Sequence, residues 1–437
     1  MQNTAKLIFD LGYGDAGKAK ICSYLTKETN SKLTVRYNGG AQAAHTVVEG
    51  NLKHTFHQFG SGTLQGARTF YSTFALFNPV VFYHELKELQ SKGVDVVDKF
   101  YLDPQCLLNT LAHQIINRFQ ELGSNPHGSC GLGIWETIRL HKEWPLISMK
   151  AFCLLHPKVL LMEQYESQLR YAISYVKGLP ANEKQKDYIS QFTPEVVLNE
   201  IKAFWKLVQE IREYITFPVQ EGLERLIREQ ETPIIFEGAQ GYLLSDKFFE
   251  VTPHVSATDC GPANAITLCK EWELDYEVWG VTRTYATRHG YGPLYGKGEL
   301  KIEEPDNPTN DWQSDFHCAP LDLSLVRSVI EEVRVDNNLP HINLALTHYD
   351  RILKQEVKNY YDHYTHRILP VKCILQTPRQ RPGHAELELF DYIGTDTIDI
   401  IPSIFFQFSK IPFSGKFIIS SGADISQTKT FELVETI

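Results

Sequence analysis

The stretch Gly12-Tyr13-Gly14-Asp15-Ala16-Gly17-Lys18-Ala19-Lys20 carries the densest chemical signal in the chain. Glycines let a backbone turn tightly and aim successive N–H groups at one place, and a helix starting just beyond adds partial positive charge. A phosphate is the ligand such a turn suits, and Lys18 can reach its oxygens. The spacing fits G-x-x-x-x-G-K, yet Ala19 stands where an ordinary phosphate loop has the Ser or Thr that holds magnesium. Asp15, inside the turn, is the carboxylate able to take that part. A carboxylate beside a terminal phosphate and a substrate can also serve as a general base. The plain alternative is a glycine turn that only joins a strand to a helix beginning near Ile21.

A second small-residue stretch follows, Arg36-Tyr37-Asn38-Gly39-Gly40-Ala41-Gln42-Ala43-Ala44-His45-Thr46. Small residues permit close approach of backbone to a ligand. An isolated histidine is more often structural. Set in a Gly/Ala loop that accompanies a phosphate turn, His45 is a candidate to donate a proton or positive charge to a phosphoryl group in transfer.

The elements that must position these residues are short apolar runs alternating with segments of helical period. Lys6–Leu11, Leu33–Tyr37, Ile234–Glu237, Val278–Thr284, Ile342–Thr347 and Phe417–Ser420 read as buried strands. Val196–Ile215 and Val219–Glu229 read as helices with one charged face. Such alternation predicts an α/β fold: a large central, mostly parallel sheet flanked by helices, with ligands beyond the carboxyl ends of its strands. No linker or low-complexity tract divides the 437 residues, so a single domain spanning 1–437, with helical insertions, is expected.

The totals narrow the function classes. A formal net charge of −10 works against binding a polyanion, so no nucleic acid partner and no anionic membrane surface is expected. No run of 18 apolar residues is present, and Met1–Phe9 is too short and polar for a signal peptide. The eight cysteines are scattered, without a CxxC pair, which suits reduced thiols and a cytoplasmic protein better than a disulfide or zinc framework.

These residues resemble the adenylosuccinate synthetase family, in which a strand leads into G-D-E-G-K-G-K and a later R-Y-x-G-G-x-N-A-G-H-T. The likeness recurs in order at His57–Gly62, Phe236–Leu244, Thr252–Ser256, Gly280–Pro293, Thr347–Asp350 and Ser420–Asp424. The resemblance implies an adenylosuccinate synthetase-like ligase that forms C–N bonds, with magnesium and with GTP or ATP as co-substrate. In the family the γ-phosphoryl group passes to O6 of IMP, and the amine of L-aspartate then displaces it. By position, Asp15 would be the base, His45 the acid, and Gln240 the residue on the purine or intermediate. Asp15 and Ala44 would attend the magnesium. Gly14, Gly17, Lys18, Ala44 and Thr46 would surround the NTP phosphates, and His348, Asp350, Ser420 and Gly422 would form its base pocket. Gln42, Ser129, Cys130, Arg139, Ser256 and Arg288 would hold the purine nucleotide. A homodimer is implied, because family active sites borrow an arginine across the interface, and Arg139 is the candidate for it. Three of these have simpler readings: Gln240 could satisfy buried backbone, Asp350 could cap a turn, and Arg288 could pair with a surface carboxylate.

The chain also departs from the family pattern. Ala16 and Ala19 replace a Glu and a Gly. Leu132 stands in a region, His127–Glu136, that normally offers an arginine to the nucleotide 5′-phosphate. The loop before Leu321-Asp322-Leu323 reads Asp311-Trp312-Gln313-Ser314-Asp315-Phe316-His317-Cys318, without the arginines that fork aspartate carboxylates. His348 takes the place of a Lys that lies across guanine. Two alternatives therefore stand beside the IMP and aspartate reading. One is a ligase for a deoxynucleotide such as dGMP or for another amine, although retention of Asp15 favours a hypoxanthine-type base. The other is a purine nucleotide-binding protein without catalysis.

Overall fold

The computed structural model describes residues 4–218, 220–304, 312, 316–353, 370–376 and 416–432. Its centre is β1 (Thr4–Asp10), where Ala5, Leu7, Ile8 and Phe9 are fully buried. A strand covered on both faces is largely apolar, and parallel pairing imposes such cover because each crossover lays a helix on the sheet. Leu7 and Phe9 join one apolar cluster while Ile8 joins another, the two-residue alternation of a pleated strand.

Among the described residues the sheet has ten strands, in the order 428–432, 416–420, 343–347, 275–283, 4–10, 234–237, 33–36, 68–71, 100–102 and 215–216. All neighbours run parallel except the 428–432 edge, which is antiparallel to 416–420. This is the large, mostly parallel sheet the sequence predicts. Its carboxyl ends deliver Asp10, Arg36 of β2 (Leu33–Arg36), Glu237, Arg283, Thr347 and Ser420 to one edge.

Strand ends shift by one to three residues from expectation, and two helix boundaries differ more tellingly. α1 (Lys18–Glu28) starts before Ile21, because Gly17 at φ 84° turns the chain straight from the glycine stretch into the helix. A Cβ on Gly17 would also meet Thr347 at 3.2 Å. The helix expected to reach Ile215 runs over Pro194–Ile211, with the Thr193 side chain capping Val196 N–H. Ile215–Thr216 instead extends the sheet edge beside Phe100–Tyr101.

Helices Leu111–Glu121, Lys158–Lys177 and Pro194–Ile211 bury a separate apolar cluster around Phe59, Phe82, Phe100, Tyr165 and Phe204. Two antiparallel strand pairs stand apart from the sheet: the hairpin of β3 (His45–Glu49) with β4 (Leu52–Phe56), and Tyr285–His289 with Phe316–Pro320. No described helix is long and apolar enough to cross a membrane. Every cysteine side chain described is free.

Candidate active site

The glycine turn is tied down from beneath. Asp10, wholly buried at the end of β1, accepts from Gly12 N–H at 2.7 Å, Ala16 N–H at 3.0 Å and the Lys18 ammonium at 3.1 Å. Asp15 sits at φ 60°, a left-handed conformation that costs a non-glycine residue roughly 1 kcal/mol. Its carbonyl accepts from Arg283 Nε, and its carboxylate, 30% exposed, lies 3.3 Å from His289 Nε2. Thr287 Oγ1 donates to Gly14 O at 3.3 Å. The turn after strand 234–237 packs directly on this one: Leu243 N–H donates to Gly12 O at 3.0 Å, and a Cβ on Gly241 would fall 2.2 Å from Gly14 N. Gln240, also left-handed at φ 61°, is therefore carried beside Asp15's turn.

His45 opens β3 with its ring buried. Nδ1 donates to Glu237 Oε1 at 2.5 Å, and Ser61 holds the same carboxylate through its N–H at 2.8 Å and its hydroxyl. Burial, then the Arg36 charge, push the His45 pKa down to about 4 against the pull of Glu237. Against its own burial, His45, Arg36 and Ser61 hold the Glu237 carboxyl down at about 2. At neutral pH the pair is thus a neutral imidazole on a carboxylate, which fixes the proton on Nδ1 and leaves the lone pair on Nε2. The Lys18 charge also lowers the His45 pKa, so the histidine and the glycine turn share one electrostatic neighbourhood. Gln42 keeps Oε1 buried without a hydrogen-bond partner, Ala44 is exposed, and Thr46 Oγ1 meets Thr55 Oγ1 at 2.9 Å.

On the other side of the turn, Thr347 Oγ1 donates to Ala16 O at 2.7 Å and approaches His348 Nδ1 at 2.9 Å. His348, at φ 56°, lies edge-on to Tyr285 with 5.7 Å between rings, and burial, then Arg283 and Lys20, hold its pKa well below the usual histidine value. Asp350 Oδ1 accepts from Gly422 N–H at 3.0 Å, and Ser420 O accepts from Tyr349 N–H at 3.1 Å. Lys20 spans to Gly422 O at 2.8 Å and Ser421 O at 3.2 Å, its pKa lowered by burial to about 8. His348, Asp350, Ser420 and Gly422 thus gather around the glycine turn.

The remaining candidates are engaged with protein groups. Arg288 donates to the carbonyls of Tyr291, Pro293 and His254, at 2.9, 3.3 and 2.8 Å, and its guanidinium stands 4.3 Å from the Tyr13 ring centre. Among the described residues no carboxylate pairs with it, and it is buried rather than open to solvent. Ser129 Oγ donates to Asn117 at 2.9 Å, and Glu121 accepts the N–H groups of Gly128 and Ser129 at 2.9 and 3.0 Å. Burial raises the neighbouring Cys130 thiol to about 11, which keeps it protonated. Ser256 Oγ meets Thr258 Oγ1 at 3.2 Å. Arg139 donates to the Tyr175 hydroxyl at 3.2 Å and stands over its ring. Asp311, Gln313, Ser314 and Asp315 of the arginine-free loop lie outside the described residues.

A sequence profile of the adenylosuccinate synthetase family matches residues 7–307. The chain belongs to the adenylosuccinate synthetase family. It is 26% identical to the adenylosuccinate synthetase of Thermotoga maritima over 343 residues, covering 76% of this chain and 78% of that one. With the Coxiella burnetii enzyme the identity is 29% over 305 residues, 68% of this chain and 65% of that one. A fully ligated adenylosuccinate synthetase from Plasmodium falciparum superimposes with a TM-score of 0.70 at 19% identity, covering 98% and 99% of the two chains. A cyanophage succinoaminodeoxyadenylate synthetase bound to dGMP and dATP gives 0.58 at 13% identity over 99% and 96%. Both likenesses are of the fold. As a member of the adenylosuccinate synthetase family, the chain is an enzyme of the C–N bond-forming ligases.

In this family member, three residues at the site escaped the sequence reading as individuals: Asp10, Glu237 and His289. Two shared a visible signal. Asp10 and Glu237 each stand at the buried end of a largely apolar strand, where a carboxylate must find donors or shift its pKa.

Proposed function

We propose that the enzyme phosphorylates O6 of a 6-oxopurine nucleotide, IMP in the first instance, at the expense of GTP or ATP, and joins the activated carbon to the amine of L-aspartate. The packing of Gly241 on Gly14 carries this reading, since it brings the turns of Asp15 and Gln240 together at the carboxyl edge. A 6-oxo group leaves poorly until it is converted to a phosphate ester.

Asp15 takes the N1 proton, so that electron density moves onto O6, which attacks the γ-phosphorus as the nucleoside diphosphate leaves. Lys18 and the turn's N–H groups bind phosphate oxygens. A neutral His45 with a free Nε2 suits the arriving phosphate: the dianion raises the imidazole pKa, and a proton gained there meets the developing charge. The amine then adds at C6 and inorganic phosphate departs with the former O6. Gln240 contacts the purine edge or the intermediate, and Asp350 with Gly422 and Ser420 meets the NTP base.

Magnesium fits the donors present, because it keeps several waters and needs only one or two carboxylates beside substrate phosphates. The partly exposed Asp15 carboxylate, with the Ala44 backbone, would hold it, and it would neutralise phosphate charge. The arginine-free loop at 311–318 favours one second reading, in which the amine is not a dicarboxylate. Product mass after incubation with IMP, GTP or ATP, magnesium and mixed amino acids tests both. An adduct of the mass of adenylosuccinate supports aspartate, another adduct supports the second reading, and no adduct with any amine defeats both.

A further inference from the structure

The three donors that converge on Asp10 are the kind of groups a phosphate would want. Gly12 N–H, Ala16 N–H and the Lys18 ammonium all point at its carboxylate, within 2.7–3.1 Å. Asp10 is 0% exposed and Lys18 4% exposed, so the ion pair is shut away from water. Among the described residues, the hydrogen bonds to the Asp10 carboxylate all come from the turn, and Asp10 also lines a cavity of about 280 Å³ whose walls include Leu11, Leu243, Leu294 and Leu325. Lys20, the other lysine of the turn, is engaged with the carbonyls of Ser421 and Gly422.

We infer that Asp10 is the resting occupant of the turn's anion seat, a positioning residue from which an incoming phosphate must take Lys18. This rests on reading the turn as a phosphate seat, but not on the purine or amine chemistry. A buried ion pair is costly to break unless the released charge finds a new partner at once. Lys18 therefore leaves Asp10 only for a strong anion, and Asp10 afterwards keeps two N–H bonds to hold its own charge. The arrangement fixes the lysine close to where it acts, at the cost of competition and repulsion that weaken phosphate binding.

The probe is inorganic pyrophosphate, titrated calorimetrically into the full-length protein and into Asp10→Asn. An asparagine keeps the volume but releases the ammonium, and the dissociation constant is expected to fall about tenfold or more. In any turnover assay the KM for the NTP falls as well, while kcat does not rise. A carboxylate that merely braces the loop gives the opposite result, weaker binding and a higher KM, and that result or unchanged binding overturns the inference. Lys18→Met abolishes pyrophosphate binding in either background.

Should Asp10→Asn fail to fold, a crystal structure of the unsubstituted protein with pyrophosphate decides. Lys18 Nζ moved beyond about 4 Å from Asp10 and onto a phosphate oxygen supports the hand-over. Lys18 still on Asp10, or pyrophosphate absent from the turn, overturns it. Tighter pyrophosphate binding without any ligation product would leave this inference standing and defeat only the proposed reaction.

Discussion

His45 Nδ1 and Glu237 Oε1 lie 2.5 Å apart, joining the first residue of a hairpin to the last residue of a central strand. That contact sets the histidine tautomer, and Ser61 holds the carboxylate that sets it. Glu237→Gln keeps the shape but offers an amide in place of the anion. The imidazolium needed at the phosphoryl group then loses its counter-charge, and kcat is expected to fall by roughly 10²-fold with little change in KM. Steady-state kinetics check this, and a drop confined to KM would assign Glu237 to binding alone.

Asp15→Ala removes the proposed base while sparing the buried Asp10–Lys18 pair. NTP hydrolysis and ligation that depend on the purine are expected to fall by at least roughly 10²-fold, the usual worth of a positioned general base. Retained turnover would take Asp15 out of its assigned role. A thermal melt within a few degrees of the parent shows that the loss is chemical, since the side chain is partly exposed.

Gly241→Ala tests the contact between the two turns. The added Cβ would sit 2.2 Å from Gly14 N and 2.3 Å from Gly12 O, both backbone atoms that cannot rotate away. Stability is expected to drop by about 1–3 kcal/mol, the range for overpacked sites, with activity lost more completely than stability. Chemical denaturation and a parallel activity assay separate the two effects.

Glu136 should give the protein a pH-dependent stability. The carboxyl is almost wholly buried on helix Ile134–Glu143, Oε2 has no hydrogen-bond partner, and burial raises its pKa from 4.5 to about 7. Between those values the folded protein keeps a proton that the unfolded chain has lost. Stability therefore falls as pH rises from 4.5 to 7, by roughly 3 kcal/mol in total, and levels off above. Glu136→Gln is expected to flatten that slope and to be the more stable protein at pH 8, as read from urea unfolding across the range.

The sheet was legible because its strands advertise themselves. Lys6–Leu11 and Ile234–Glu237 are short apolar runs ending at glycine, and burial on both faces demands that composition. The glycine turn was legible for a related reason, since Gly17 must accept φ 84°. Contacts made by long polar side chains were not. Nothing in the spacing says that Asp10 turns back under the loop, or that Arg288 collects the carbonyl of His254, 34 residues away. The end of helix Pro194–Ile211 was misjudged because Ile215 serves a sheet edge as well as it would a helix face.

The most direct test of the central claim follows one oxygen atom. IMP labelled with ¹⁸O at position 6 is turned over with NTP, magnesium and the amine, and the released phosphate is analysed by mass spectrometry. Activation of O6 by phosphorylation predicts one ¹⁸O in each phosphate formed with product. Phosphate carrying no label, alongside product formation or NTP consumption, would contradict the account.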